Sequence, residues 1–299
     1  MDTNKYLEQV LSDQILGDDS KELKELQTHR ADVEELLSAS FASKPIIRYA
    51  GSKAKGTLIK EYYDLDIVCY FPSDCDAAGK TLAEIYENVR DSLRKKYYVE
   101  EKTSALRLKG ISSEDYMRDF HIDVVPGRFT DDTKSDCFIY QKSAEKCRMK
   151  TNLDVHIAHM KSSGVIDAVR LFKLWKARRG LGIKQFVFEL LLIDLLSGKK
   201  DKPISEQMLH VWTEIADHEE AIHVEDPANP NGNDLNAVMD AAWPGLRAAA
   251  QDALNTIKWS NWESIFGAVT VEKSFSVTER AQRAAASMST SNRPWCPRG

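Results

Sequence analysis

Three aspartates set the chemistry open to this sequence. Asp64 and Asp66 stand two apart in Asp64-Leu65-Asp66, at the head of the apolar run Leu65 to Phe71. Side chains alternate along a strand, so both carboxylates point to one face while Leu65 and Ile67 point into the core. The third, Asp123, lies in Phe120-His121-Ile122-Asp123-Val124-Val125-Pro126-Gly127, where Ile122 and Val124 would anchor it in a sheet. Oxygen donors of this kind suit Mg²⁺ or Mn²⁺, and two such ions can stabilise the attacking and leaving oxygens of an in-line displacement at phosphorus. Asp64, Asp66 and Asp123 are therefore expected to be both the catalytic residues and the metal ligands, with Asp123 serving the ion that activates the acceptor hydroxyl.

Upstream stands Gly51-Ser52-Lys53-Ala54-Lys55-Gly56-Thr57, separated by six residues from Asp64. Gly51 permits close approach of backbone to a phosphate, and the Ser52 hydroxyl and N–H can bind triphosphate oxygens. A lone DxD is usually a solvated strand or turn. The upstream loop and the apolar-flanked downstream aspartate tip the balance to the catalytic reading.

Those residues need elements to hold them. Residues 5–41 carry apolar positions at helical spacing, broken at Gly17-Asp18-Asp19-Ser20, which predicts a short helix and then a long one. Ile46 to Ala50 reads as a short extended run. Strands are expected at Leu65 to Phe71 and Phe120 to Val125, with a helix near Ala83 to Lys96 and a further strand at Tyr97 to Lys109. From Asp167 the pattern becomes helical, over Asp167 to Arg178, Lys184 to Leu196, Ser205 to Ile222 and Leu235 to Ile257. The first half alternates helix and strand and the second is all helix. The expectation is an α+β chain with a catalytic lobe over residues 1–160, a helical lobe over 161–270, the active site in the cleft between them, and a tail over 271–299.

Composition narrows the function class. A chain of 299 residues with 42% hydrophobic content can bury a sizeable core, which excludes a disordered or fibrous protein. Its 41 basic and 46 acidic side chains leave a net charge of -5, so no global field favours stable binding to long nucleic acid. The polar N-terminus lacks the pattern of a secretory signal, and no window approaches the roughly 18 apolar residues of a membrane span. Five irregularly spaced cysteines fit reduced thiols. A cytoplasmic location without membrane attachment is expected. Cys137, Cys147, His156 and His159 are zinc-compatible types, but they contain no CxxC pair and zinc is disfavoured.

The motifs Gly51-Ser52, Gly56-Thr57, Asp64/Asp66 and Asp123 resemble the polymerase-β-like nucleotidyltransferase superfamily. The long leading helix and Asp226-Pro227-Ala228-Asn229-Pro230 resemble its bacterial CD-NTase branch, the cGAS/DncV-like enzymes of SMODS type. The resemblance implies synthesis of a cyclic di- or trinucleotide second messenger from NTPs, ATP among them, with two Mg²⁺ or Mn²⁺ ions, in antiphage CBASS signalling. The product rather than this chain would bind the downstream effector. Residues 168–176 and 183–189 are similar to the family's triphosphate- and base-binding segment, which implies that Lys173 contacts the triphosphate and that Phe186 stacks on a base. Gln185 stands where the family has Ser. Packing alone accounts for Ala168, Val169, Phe172 and Trp175, and Lys176, Arg178 and Arg179 read equally well as a solvated helix end.

The resemblance leaves open a linear oligoadenylate synthase, a transferase acting on RNA or a small molecule, and, in another class, a nucleotide-binding scaffold without turnover. In the tail, Pro294, Trp295 and Pro297 suit an anchor for a HORMA-like regulator, and the terminal Gly299 suits E1/E2-like ligation. Residues 287–299 are expected either to serve such a partner or to pack back on their own domain.

Overall fold

The computed structural model describes residues 2–17, 20–114, 116–142 and 147–269. The tail read at 271–299, including Pro294, Trp295, Pro297 and Gly299, lies outside them. Residues up to Gly267 form one compact unit.

The sheet is built around one strand pair. Strand β2 (Leu65–Phe71) runs parallel to β5 (Asp119–Phe129), with Asp66 opposite Asp123. On the outer side of β2 lies β1 (Ile46–Tyr49), antiparallel to it. Beyond β5, the hairpin of β3 (Tyr98–Glu101) and β4 (Leu106–Lys109) pairs with its first half, and β6 (Cys137–Tyr140) with its second half. Strand β7 (Arg148–Thr151) closes that end against β6.

Period-two alternation decides the faces. Leu65, Ile67, Cys69 and Phe71 of β2, with Ile122 and Val124 of β5, lie in a core shared with Leu26, Val33, Leu37, Ile85 and Val89. The latter come from α2 (Lys21–Ser40) and α4 (Leu82–Leu93), which cover this face. Val68 and Tyr70 point the other way, into a second core with Phe129, Cys137, Ile139 and Leu153. Asp66 and Asp123 share that second face, at its open end. Each fully buried Leu, Ile or Val is worth about 1.5–3 kcal/mol, so a one-residue slip that exposed these side chains and buried the carboxylates is strongly opposed.

Helix ends follow local chemistry. Ser20 caps α2, accepting from Leu23 N, and Thr81 with Glu84 forms a capping box on α4. Gly180, in the left-handed conformation, ends α6 (Ile166–Arg179). The helical half adds α7 (Gln185–Leu195), α8 (Ile204–Asp217), α9 (Asn236–Trp259) and the short α10 (Glu263–Phe266), with α1 (Thr3–Asp13) packed against α6 and α8. Its centre is aromatic. Phe172, Trp175, Phe188 and Trp212 meet with ring centroids 5.6–6.4 Å apart, and Trp262 adds to Trp212 at 5.5 Å.

Two expectations are revised. Residues 97–109 form a hairpin rather than one strand, because Lys102 N bonds Ala105 O and folds Val99 back against Leu108. The phosphate loop is helical at its start: α3 spans Gly51–Lys55 and ends at left-handed Gly56. Helix α5 (Leu153–Ser162), capped by Asn152, packs on α3. No described helix is long and apolar enough to cross a membrane.

Candidate active site

The carboxylates gather at the start of the β2–β5 pairing. Asp66 and Asp123 are direct neighbours in the parallel register, and Asp64, two residues before Asp66, lies just before β2. Burial, then the charges of Asp123 and Asp64, push the Asp66 carboxyl up to about 7. Burial acts the same way on Asp64. There the His121 hydrogen bond and the Arg107 charge outweigh it and hold the group below the usual carboxylate range.

Gly51 is pressed against this cluster. A Cβ on Gly51 would lie 1.7 Å from Oδ2 of Asp66, and its φ is +49°. The sequence suggested that Gly51 admits a phosphate. The structure gives a nearer reason, which is that only glycine fits above Asp66 in this conformation. Ala50 N donates to Asp66 O at 2.8 Å and fixes the start of α3 on β2.

Ser52 and Lys173 are brought together from distant parts of the chain. Lys173 Nζ donates to Ser52 Oγ at 2.7 Å, and the lysine is 3% exposed. Burial lowers its pKa to about 8, against the opposing pull of Glu189, Asp64 and Asp66. Lys176 is also buried, which corrects its reading as a solvated helix end. Both ammonium groups lie over the Tyr62 ring, at 5.8 Å and 5.7 Å from its centroid. Arg178 and Arg179 are exposed at the end of α6, as a solvated helix end, and pair there with Glu61 and Asp252.

Gln185 and Phe186 sit at the start of α7, on the far side of a buried ion pair. Lys55 Nζ meets Glu189 Oε2 at 2.7 Å, with Thr57 and Gln185 donating to Oε1 at 3.3 Å each. The Phe186 ring packs on His156, 4.8 Å between centroids, and lies 5.1 Å from Lys55 Nζ. Their described contacts thus run to Glu189, Lys55 and His156. They reach the Ser52 helix through that pair. His156 in turn bonds buried Asp226 at 2.8 Å, and Asp226 also accepts from Asn233 and Ala228 N, which folds the Asp226-Pro227-Ala228-Asn229-Pro230 segment into a turn against α5. Of the four zinc-compatible residues, His156 is committed to Asp226, and Cys137 is buried in β6.

Sequence reasoning missed Arg107. It stands opposite Asp123 across the β4–β5 pair and grips it with a fork, Nε to Oδ1 at 2.6 Å and Nη2 to Oδ2 at 2.8 Å. Its Nη1 donates to Asp119 Oδ2 at 3.0 Å, and Asp64 Oδ2 is 3.4 Å from Nη2. Lys102 adds a contact to Asp123 Oδ2 at 3.0 Å. Burial opposes the charge on Arg107, but these carboxylates raise its pKa above the ordinary value. Alternation in Leu106-Arg107-Leu108-Lys109 gave its face, though not its partner. Glu189 did leave a signal, as the lone acid inside the apolar run of Phe186 to Ile193.

Among the described residues no three His, Cys, Asp or Glu side chains close around a point as a finished metal cage. The donor chemistry nonetheless fits a hard divalent cation. The three carboxylates lie close together, and besides burial the charges of Asp123 and Asp64 raise the Asp66 carboxyl, a repulsion that a cation would relieve.

No family model and no curated protein matches the sequence. Solved structures do share the fold. CdnC of E. coli MS115-1 with ATP superposes with a TM-score of 0.66 at 18% identity, covering 89% of this chain and 98% of that one. The same protein in complex with HORMA-deltaN gives 0.65 at 17%, covering 90% and 98%. The Elizabethkingia meningoseptica CdnE cyclic dinucleotide synthase with GTP and Apcpp gives 0.60 at 14%, covering 86% and 99%. The fold is thus that of polymerase-β-like nucleotidyltransferases, a mixed sheet with helices plus a helical lobe.

Proposed function

We propose that this chain is a metal-dependent nucleotidyltransferase that makes a cyclic oligonucleotide from NTPs. The observation that carries the reading is the register pair Asp66–Asp123, with Asp64 beside it and the Ser52–Lys173 contact adjoining. The shared fold with an ATP-bound CdnC and with a cyclic dinucleotide synthase supports the same reading.

In this mechanism Ser52 and Lys173 bind the triphosphate of the donor NTP, and Lys176 adds positive charge beside them. Two Mg²⁺ or Mn²⁺ ions held by Asp64, Asp66 and Asp123 would supply charge neutralisation at the phosphates and activation of the acceptor hydroxyl. Asp123 faces the acceptor side, and the carboxylates orient the ribose hydroxyl for in-line attack on the α-phosphate, with pyrophosphate leaving. Gly51 keeps the roof over Asp66 free of side-chain atoms. Glu189 holds Lys55, and with it α3, against the nucleotide-binding helices. Phe186, displayed beside Lys55 and His156, supplies the ring against which a base stacks, and Gln185 adds a polar contact at the same edge.

The product is an adenine-containing cyclic di- or trinucleotide that acts as a messenger in antiphage CBASS defence, in the cytoplasm. The regulator is a HORMA-like protein engaged through residues 287–299, in line with the CdnC:HORMA-deltaN complex.

The deciding experiment is incubation with all four NTPs and Mg²⁺, followed by phosphatase and nuclease treatment and mass analysis. A phosphatase-resistant cyclic product lost in Asp64→Asn and Asp66→Asn supports the reading. A linear product would make the chain an oligonucleotide polymerase or transferase, and no pyrophosphate release would leave a binding scaffold.

A further inference from the structure

Asp123 can offer a metal ion the two-oxygen edge of its carboxylate only by surrendering bonds it already makes. Both of its oxygens are engaged, Oδ1 by Arg107 Nε and Oδ2 by Arg107 Nη2 and Lys102 Nζ. A planar fork of this kind uses the same in-plane lone pairs that a carboxylate offers to a cation. Arg107 also has a second anchor. Its Nη1 is bonded to Asp119 Oδ2 at 3.0 Å, a carboxylate at the opening residue of β5. A guanidinium released by Asp123 would therefore not be left buried without a counter-charge, the outcome that makes broken ion pairs costly.

On the reading of Asp64, Asp66 and Asp123 as metal ligands, we propose that Arg107 is a positioning residue that holds Asp123 in its fork until a divalent cation takes the carboxylate over, with Asp119 retaining the guanidinium afterwards. Arg107 and the cation compete for one ligand. The fork keeps a crowded carboxylate site compact and makes metal affinity depend on a side chain that is not itself a ligand. Arg107 faces Asp64, Asp119 and Asp123 at once, so the exchange shifts one cation along a row of acids and leaves the strands in place.

The test uses the full chain and the metals alone. The Arg107 side-chain Nε–Hε resonance, assigned by its loss in Arg107→Gln, is followed during Mg²⁺ titration, and Mn²⁺ affinity is measured by calorimetry for wild type, Arg107→Gln and Asp66→Asn. The expected result is an Nε–Hε signal that changes in step with metal saturation, and Mn²⁺ binding about ten-fold tighter in Arg107→Gln. A signal unmoved at saturating Mg²⁺, or Mn²⁺ binding weakened in Arg107→Gln, overturns the proposal while Asp66-dependent Mn²⁺ binding upholds the metal site. Absence of any Asp66-dependent Mn²⁺ binding overturns the metal reading itself, and this proposal with it. If Arg107→Gln does not fold, Arg107→Lys, which keeps the charge and loses the fork, provides the resonance assignment and must also tighten Mn²⁺ binding.

Discussion

The ammonium of Lys173 donates to the Ser52 hydroxyl across 2.7 Å, joining helix α6 to helix α3, with Lys173 3% and Ser52 8% exposed. A triphosphate arriving there would find donors from both elements already aligned. Ser52→Ala should weaken NTP binding by about ten- to hundred-fold, because a hydrogen bond to a charged group is worth about 1.5–3 kcal/mol. Calorimetric titration with a non-hydrolysable ATP analogue measures it, and unchanged affinity would remove Ser52 from the site.

Gly51 offers a steric test of the same corner. Gly51→Ala adds a Cβ at 1.7 Å from Asp66 Oδ2 in a backbone with φ of +49°, so backbone and carboxylate must both shift. The expected cost is about 1–3 kcal/mol in stability together with loss of product formation. Wild-type turnover with an unchanged melting temperature would show that Asp66 is not held where the geometry places it.

Asp66 should make the metal-free protein less stable as pH rises. Its folded pKa, about 7, exceeds that of the unfolded chain, so the native state binds more protons between about pH 4 and pH 7. Stability is then lost across that window. In EDTA, Asp66→Asn should be the more stable protein at pH 8 by roughly 2–4 kcal/mol, with the advantage vanishing near pH 4. Added Mg²⁺ should stabilise wild type and leave the variant unmoved. Chemical unfolding at the two pH values decides it, and a variant less stable than wild type at pH 8 in EDTA would contradict the crowding of charge at Asp66.

The Lys55–Glu189 pair predicts a non-additive result. Lys55 is 8% exposed and Glu189 2%, so Glu189→Gln leaves a buried ammonium without its counter-charge and should cost about 3–5 kcal/mol. Lys55→Met combined with Glu189→Met removes both charges and should cost less than the single change. A double-mutant cycle by denaturant unfolding reads the coupling. Simple additivity would reduce the pair to a contact of no consequence for the seating of α3.

Local sequence determined the directions in which the reactive side chains point. Alternation around Leu65 and Ile67, and around Ile122 and Val124, placed Asp66 and Asp123 on the face of their strands turned from the core, with Asp64 just before β2, and the bounds read for Leu65 to Phe71 are those of β2. The helical pattern from Asp167 onward likewise gave α6, α7 and α9 nearly to the residue, with a repeating buried face in α9 and a buried run without one in α6 and α7. Tertiary structure alone decided which residues meet. The parallel register that sets Asp66 beside Asp123, the antiparallel one that sets Arg107 opposite Asp123, and the crossing that buries Lys55 against Glu189 all join segments far apart in the chain. Spacing within a strand fixes a face because the backbone repeats every two residues. A partner is fixed only when several strands and helices bury their apolar faces together, and that shared core has no signature in any one segment.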